Sequence, residues 1–302
     1  MAINTLIQAQ NWTGELDKAF VQKAVTGFLA DNTLTAKFVG AKTVLIPDVS
    51  FVGLVNYDRD NGFNRSALTV ANTPFTMSMD RARSIQLDRM DEDETGIANL
   101  AGQIMGEYVR TKVVPECDAY VLSTLAGIAN TNNQTVTWDA SKPYASIINA
   151  FHKVHGAAGY DEELIAFVSA DVMAALETST ETAKMITVSD FKQGGVNLKV
   201  KSINGVTLIP VSPDRMKTAY NFVETASAAD EGGFEADTSA KDIHLLVMPK
   251  KAASLVKKTE KMRVFSPDEN IDADAYKFDY RIYYDVFVKK SKTNTIYGAF
   301  GA

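Results

Sequence analysis

Long extended stretches dominate the first third of the chain. Apolar and β-prone residues with polar ones between them fill 44–55 and 75–87, and a polar segment at 57–65 separates them. Each stretch has about a dozen residues and could extend about 40 Å. The pattern predicts a long β-hairpin with an outgoing arm, a tip and a return arm. Because a two-stranded ribbon cannot bury its own apolar face, we expect it to pack against a neighbour.

A helical period follows the hairpin. Four acids at 91–94 precede it, where carboxylates favour a helix N-terminus. Apolar residues then recur on one face and polar residues on the other. Pro115 should kink or interrupt this helix. The residues predicted to pack the helix against other backbone or side chains are Ile97, Gly102, Ile104, Gly106 and Tyr108.

The rest of the chain mixes helices and strands. Residues 141–178 predict a helix, a strand and a second helix, and Asn204-Gly205 predicts a type I′ hairpin turn. The acidic stretch at 224–242 predicts an exposed loop. The alternation at 276–288 is long enough that its strand should bend and serve two sheets or subdomains. Strands are predicted at 164–168, 196–200, 206–211, 243–248 and 276–288.

Composition narrows the class of protein. The chain has 302 residues, of which 46% are hydrophobic, and a net charge of −6. We therefore expect a large core. The negative net charge does not favour a nucleic-acid-binding protein, which would usually carry a cluster of basic residues. No apolar run is long enough to predict a membrane span, and the N-terminus lacks the pattern of a signal peptide. Cys117 is the only cysteine, which fits synthesis in a reducing cytoplasm.

Residues that could support catalysis are sparse. His152 and His155 share a helix face, but no third ligand follows at a metal-binding spacing. Gly40-Ala41-Lys42-Thr43 lacks the upstream glycine and the Gly-Lys pair of a phosphate loop. We therefore predict no catalytic residue, no metal and no cofactor. A small-molecule enzyme of α/β type is the alternative from a different class.

Two basic runs remain after this survey. One spans 250–263 and the other 289–292. Contact with nucleic acid or another anionic partner is one interpretation. A solvated face, or an intersubunit charge match to the acidic stretch at 224–242, is the other. Lysines without interleaved aromatic residues favour the second interpretation.

The order of these elements resembles that of the major capsid proteins of tailed bacteriophages, which have the Hong Kong 97 fold. The amino-acid sequences of segments 86–95 and 113–119 also resemble those of phage capsid proteins. The resemblance implies an α+β capsid fold with an N-terminal arm, an extended β-hairpin loop, a peripheral domain with a long spine helix, and an axial α/β domain. The implied bounds are 1–42 for the arm, 43–88 for the loop, 89–134 for the peripheral domain with its spine helix, 135–250 for the axial domain, and 251–302 for the return strands of the peripheral domain.

The resemblance also implies a function. The chain would be a structural subunit of an icosahedral bacteriophage shell that self-assembles into pentamers and hexamers around double-stranded DNA, without sequence-specific contact. It would be found in the virion after assembly in the host bacterial cytoplasm. A portal and decoration proteins are expected partners. Because only about 40 residues precede the loop, the resemblance implies either a separate scaffold protein or assembly without one. An encapsulin-type nanocompartment is the alternative. The residues expected at the intersubunit contact of the loop tip are Tyr57, Asp58, Arg59, Asp60, Phe63 and Arg65.

Overall fold

The computed structural model describes most of the chain. The described residues are 24–31, 37–40, 42–50, 52–57, 59, 63, 69–89, 101–179, 186–193, 196–223 and 232–301, with the backbone alone at 31, 37, 47–50, 69, 101–104, 186–193 and 196–200. Two compact units result: a hairpin unit, Thr33–Ser78, and a main unit, Met1–Asn32 with Met79–Ala302.

The described residues form fourteen strands and four α-helices. The strands are β1 Lys37–Val39, β2 Thr43–Ser50, β3 Thr69–Thr76, β4 Met79–Asp88, β5 Leu164–Ser169, β6 Ile186–Gln193, β7 Val196–Ile203, β8 Val206–Val211, β9 Tyr220–Phe222, β10 Phe234–Ala236, β11 Ile243–Pro249, β12 Ala253–Phe265, β13 Ala275–Val288 and β14 Tyr297–Phe300. The α-helices are α1 Ala101–Tyr108, α2 Val114–Thr131, α3 Pro143–Ala158 and α4 Ala170–Thr178.

The hairpin unit is an antiparallel sheet in the order β1-β2-β3. Its long ladder runs from the pair Thr43 and Thr76 to the pair Ser50 and Thr69. The predicted outgoing arm is therefore a strand as far as Ser50. Residues 52–57 continue without strand structure toward the tip.

The predicted return arm is wrong beyond Thr76. Strand β4 does not continue the hairpin; it pairs antiparallel with β13, from Asp88 opposite Ala275 to Met79 opposite Tyr284. Alternation defines the two faces of a strand but not its partner. The apolar residues of β13 provide that partner, because Phe278 lies opposite Ile85.

Strands β12, β13 and β4 form a three-stranded antiparallel sheet. Strand β13 has 14 residues, which confirms the long C-terminal strand. Among the described residues its partners lie in one sheet, so the prediction that it serves two sheets is wrong. The register of β12 against β13 shifts between Lys257 and Thr259, and such a shift lets a long pair twist without leaving the sheet.

The long helix continues past Pro115 through a wider turn. Residues Val109–Val113 form a π-helical segment between α1 and α2, and the Val114 amide donates to the Val109 carbonyl. Because proline has no amide hydrogen, a local change of the hydrogen-bond pattern lets the helix proceed. The predicted interruption is thus a π-turn. The acids at 91–94 lie outside the described residues.

A six-stranded mixed sheet forms the other half of the main unit, in the order β14-β11-β5-β8-β7-β6. The predicted turn is confirmed, since Asn204 and Gly205 have φ values of 50° and 79°. The predicted strands at 164–168 and 243–248 are also confirmed as β5 and β11. Part of the predicted loop at 224–242 is wrong, because β10 pairs with β9, and 224–231 lies outside the described residues.

Strand β5 contributes to both cores of the main unit. Ile165 and Phe167 pack into the cluster around α2 and the three-stranded sheet, together with Phe28 from the N-terminal segment. Ala166 and Val168 face the opposite way, into the cluster under α3 and α4. This two-sided burial explains why the strand is a continuous apolar run in the sequence.

Candidate assembly surface

Exposed apolar side chains concentrate in the hairpin unit. Of ten large hydrophobic residues that the described chain leaves exposed, eight lie between Thr33 and Ser78. They are Phe38, Val39, Val52, Leu54, Val55, Tyr57, Phe63 and Val70. Exposed large apolar side chains that concentrate in one part of a protein are typical of interaction sites. This unit is therefore the strongest candidate for an interface.

The hairpin unit has little core of its own. Among its described residues, buried apolar side chains are contributed by Val44, Ile46 and Met77. Its strands also carry prolines, with Pro74 opposite Leu45 and Pro47 opposite Asn72. Proline removes a backbone donor and so discourages uncontrolled pairing at a sheet edge. The unit has the composition of a ribbon that is stabilised by side-chain packing onto another surface.

The hairpin tip carries an exposed aromatic pair. The rings of Tyr57 and Phe63 meet edge to face, with centroids 5.2 Å apart, and Arg59, two residues after Tyr57 in the sequence, is exposed. Contact between two aromatic rings in this arrangement contributes about 0.5–1.5 kcal/mol beyond the burial of apolar area. The other predicted tip residues, Asp58, Asp60 and Arg65, lie outside the described residues. The contact role of the tip stays a prediction.

The predicted packing residues of the long helix have different surroundings. Tyr108 is half-buried, and its ring packs edge to face on Tyr280 with centroids 6.3 Å apart. A Cβ built at Gly106 would meet nothing within 4 Å, so among the described residues no backbone from outside its own helix packs closely against it. Gly102 and Ile104 are in α1 with their backbone alone described, and Ile97 is outside the described residues. Among the described side chains of this helix, Met105 and Val109 are fully buried.

An ion pair joins this helix to the first strand after the hairpin. Arg81 Nε lies 2.5 Å from Glu116 Oε1, and both side chains are mostly buried. The same guanidinium donates to the carbonyls of Val223 at 2.6 Å and Gly233 at 3.2 Å. Arg81 thus links β4 and the long helix to the residue after β9 and the residue before β10. No sequence motif marks it, because its partners are 35, 142 and 152 residues away.

Asp118 anchors the N-terminal segment and was missed by sequence reasoning. Its carboxylate is fully buried and accepts from the amides of Val25 and Thr26 and from the Thr26 hydroxyl, at 2.7–3.1 Å. Arg215 donates to it at 3.1 Å. Burial raises the pKa of Asp118, and the Thr26 hydrogen bonds oppose that shift. An acid in the apolar stripe of α2 is the signal that could have indicated a buried partner.

A cavity of about 480 Å³ lies between the long helix and the three-stranded sheet. Cys117, Tyr280 and Tyr284 line its apolar wall, and Arg83 and Lys112 line its polar side. Burial raises the pKa of the Cys117 thiol far above its usual value, and burial likewise raises the pKa of Tyr280. Both groups stay protonated at neutral pH. The cavity therefore offers neither a nucleophile nor a general base from these two residues.

The predicted histidine pair forms an aromatic stack on the surface. The His155 ring stacks on Tyr160 with centroids 4.8 Å apart, and the Tyr160 hydroxyl lies 3.5 Å from His152 Nδ1. Within the described ranges, no cluster of three or more His, Cys, Asp or Glu side chains could hold a metal ion. In the same part of the chain, no helix has the length and apolar character needed to cross a membrane.

Comparison by sequence gives no relative: no protein-family model matches the chain, and no curated protein matches it. Comparison by structure does identify similar proteins. The capsid structure of cyanophage P-SCSP1u superposes with a TM-score of 0.58 at 11% identity, covering 88% of this chain and 85% of that one. The mature capsid of bacteriophage PhiM1 gives a TM-score of 0.55 at 16% identity, covering 86% and 82%.

A third structure is not from a phage. A virus-like particle from Pyrococcus furiosus gives a TM-score of 0.50 at 10% identity and covers 95% of this chain and 98% of that one. The mixture of helices and sheets described above is common to these matches. The chain therefore has the α+β fold of phage capsid structures, and the resemblance noted in the sequence is confirmed at the level of fold.

Proposed function

We propose that this protein is a structural subunit of an icosahedral bacteriophage shell, which self-assembles into pentamers and hexamers and encloses double-stranded DNA. The observation that supports the proposal is the hairpin unit, which carries eight of the ten exposed large hydrophobic side chains found among the described residues. A shell subunit needs such a surface, because repeated contacts with identical neighbours supply the missing burial.

The domains of the Hong Kong 97 fold can be assigned on the same basis. The hairpin unit would be the extended loop, ending at Ser78 rather than at residue 88, and the helix from α1 to α2 would be the spine of the peripheral domain. Strands β12 and β13 would return through that domain. The six-stranded sheet with α3 and α4 would be the axial domain, and the segment before Asn32 the N-terminal arm.

Contacts between subunits are proposed to be non-covalent. The sequence has no lysine between Lys42 and Lys112. From Thr43 through the tip to Ser78, the hairpin unit therefore lacks the amine that an isopeptide bond to a neighbouring asparagine would need, and arginine remains protonated and cannot replace it. Particles boiled in detergent should release this chain at its monomer mass of 32.9 kDa. A ladder of multimers that survives boiling and reductant would contradict this proposal.

A second candidate is an encapsulin-type compartment, a shell that holds protein cargo. The near-complete coverage of the Pyrococcus furiosus virus-like particle supports it. The contents of particles distinguish the two. Particles should be isolated from phage-producing cells and treated with nuclease before the contents are extracted. Protected double-stranded DNA is the expected result; a single cargo protein without DNA would favour the compartment, and the absence of any particle containing this chain would overturn both.

A further inference from the structure

Two lysine-rich segments that are distant in the sequence meet at one end of the three-stranded sheet. Ala253 pairs with Val288, so the turn before β12 lies beside the segment after β13. An adjacent acidic turn holds both: Glu163 pairs with Lys250 at 3.0 Å, and Glu162 pairs with Lys292 at 2.5 Å. We call the resulting group the lysine end, and its members are Lys250, Lys251, Lys289, Lys290 and Lys292.

Three of these lysines are available for an external partner. Lys251, Lys289 and Lys290 are exposed, and among the described residues none of them forms an ion pair. The nearby Glu162 and Glu163 are already paired with the other two lysines. Counting Asp161 with these two acids, five lysines face three carboxylates, an excess of two positive charges on a chain whose net charge is −6. The lysine end is thus positively charged, although the chain as a whole is negatively charged.

We propose that the lysine end contacts the phosphate backbone of double-stranded DNA and therefore faces the interior of the shell. Lysine is a compact point charge that suits sequence-independent phosphate contact. A protein partner is less well matched, because protein interfaces are depleted in lysine and the exposed apolar surface of this chain is concentrated in the hairpin unit. This inference rests on the proposed function, since only a closed shell around DNA gives the chain an inner face.

The test measures DNA binding by the unassembled full-length chain as a function of salt, with a short DNA duplex of mixed sequence. The variant is the triple substitution Lys251→Gln, Lys289→Gln and Lys290→Gln. Each lysine that neutralises a phosphate contributes a slope of about 0.9 in the logarithm of affinity against the logarithm of salt. The triple variant should lower the slope by about 2–3 and weaken binding about a hundredfold near 0.1 M salt.

A matched control removes the same charge elsewhere. Lys142, Lys241 and Lys261 are also exposed. Lys142 precedes α3, Lys241 precedes β11 and Lys261 lies far along β12, so each is about 20–25 Å along its own element from the lysine end. Their triple replacement by Gln should leave the salt slope close to the wild-type value. Replacement of Lys251, Lys289 and Lys290 by Arg should preserve both slope and affinity.

The outcomes separate this inference from the proposed function. Equal effects of the two Gln triples, or no DNA binding by the wild-type chain, would overturn the inference. Particles should form from the lysine-end variant as they do from the wild type. A folded variant that no longer forms particles would mean that the lysine end contacts a neighbouring copy instead of DNA. If the wild-type chain forms no particles, the proposed function itself fails.

Discussion

Arg81 and Glu116 form an ion pair in which Nε of the guanidinium lies 2.5 Å from Oε1 of the carboxylate. Arg81 is the third residue of β4, which begins immediately after the hairpin unit, and Glu116 is in the first turn of α2. The pair therefore secures the strand from which the hairpin departs to the long helix of the main unit. Removing the Arg81 side chain from this mostly buried cluster would therefore take away hydrogen bonds from Glu116 and from two backbone carbonyls.

Replacing Arg81 by Gln should destabilise the unassembled chain by about 1–3 kcal/mol, because Glu116 and two backbone carbonyls each lose a donor. Chemical denaturation of the full chain measures this free energy of unfolding. Arg110→Gln is the control: Arg110 pairs with Glu107 on the exposed surface of the same helix and should have almost no effect. Equal effects of the two substitutions would contradict a structural role for Arg81.

Leu54→Ser should impair particle assembly without changing the unfolding free energy of the subunit. Leu54 is fully exposed in the hairpin unit, so its apolar surface is buried only if a neighbour covers it. Ile271 is equally exposed but lies in the main unit, and Ile271→Ser should leave assembly unchanged. Particle yield at fixed protein concentration compares the two. Wild-type yield from Leu54→Ser would argue against the hairpin as the assembly surface.

Gly106→Ala should stabilise the unassembled subunit by about 0.5–1 kcal/mol, because the space around Gly106 is open and alanine favours a helix. Gly127 is an exposed glycine of α2 with the same open surroundings, and Gly127→Ala should give a similar gain. Thermal unfolding measures both. If the backbone of a neighbouring subunit packs at Gly106 in the shell, Gly106→Leu should reduce particle yield while Gly127→Leu does not. A loss of subunit stability in Gly106→Ala would instead indicate a contact at Gly106 within the subunit.

Asp118→Ala should destabilise the chain by about 3–5 kcal/mol, because it leaves Arg215 and the donors of Val25 and Thr26 without their shared acceptor. Asp118→Asn keeps the shape and tests the charge. The pKa of Asp118 is raised in the folded protein, so the folded state binds its proton more readily than the unfolded state. The stabilisation of wild type relative to Asp118→Asn should therefore increase as the pH falls from 7 toward 4.

The pKa of Asp139 is shifted in the opposite direction from that of Asp118, so Asp139 serves as a comparison. Hydrogen bonds from Ser141 lower the pKa of Asp139, so its contribution to stability is present above its usual pKa of 3.8 and is lost as the pH falls through the lowered value. The penalty of Asp139→Asn should shrink on acidification, while that of Asp118→Asn grows. Unfolding curves at several pH values would contradict this reasoning if both penalties changed in the same direction.

Sequence reasoning identified the elements whose signals are local. The Asn204-Gly205 turn has the positive φ values that its sequence requires, and the apolar run at 164–168 is a strand buried on both faces. Strand β12 was interpreted only as a basic run, because its lysines and arginine interrupt the apolar pattern. Its pairing with β13 decides its structure, and pairing across distant segments has no local signature.

The candidate site likewise has some features that the sequence predicts and others that only the folded structure shows. The exposed hairpin followed from the length and polarity of its arms, and the aromatic contact between Tyr57 and Phe63 lies where the tip was predicted. The Asp118 anchor could not be found in the sequence, because Thr26 is 92 residues away and only the folded backbone brings its amide to the carboxylate. The open space around Gly106 also depends on tertiary packing, which the helical period does not specify.

The central claim is that identical copies of this chain close into a shell. Negative-stain electron microscopy of the concentrated full-length protein tests it most directly, with Leu54→Ser imaged beside the wild type. The wild type should form closed, uniform icosahedral particles, and Leu54→Ser should form few or none. A wild-type sample that contains only separate 32.9 kDa subunits at every concentration, with and without candidate scaffold proteins, would contradict the claim.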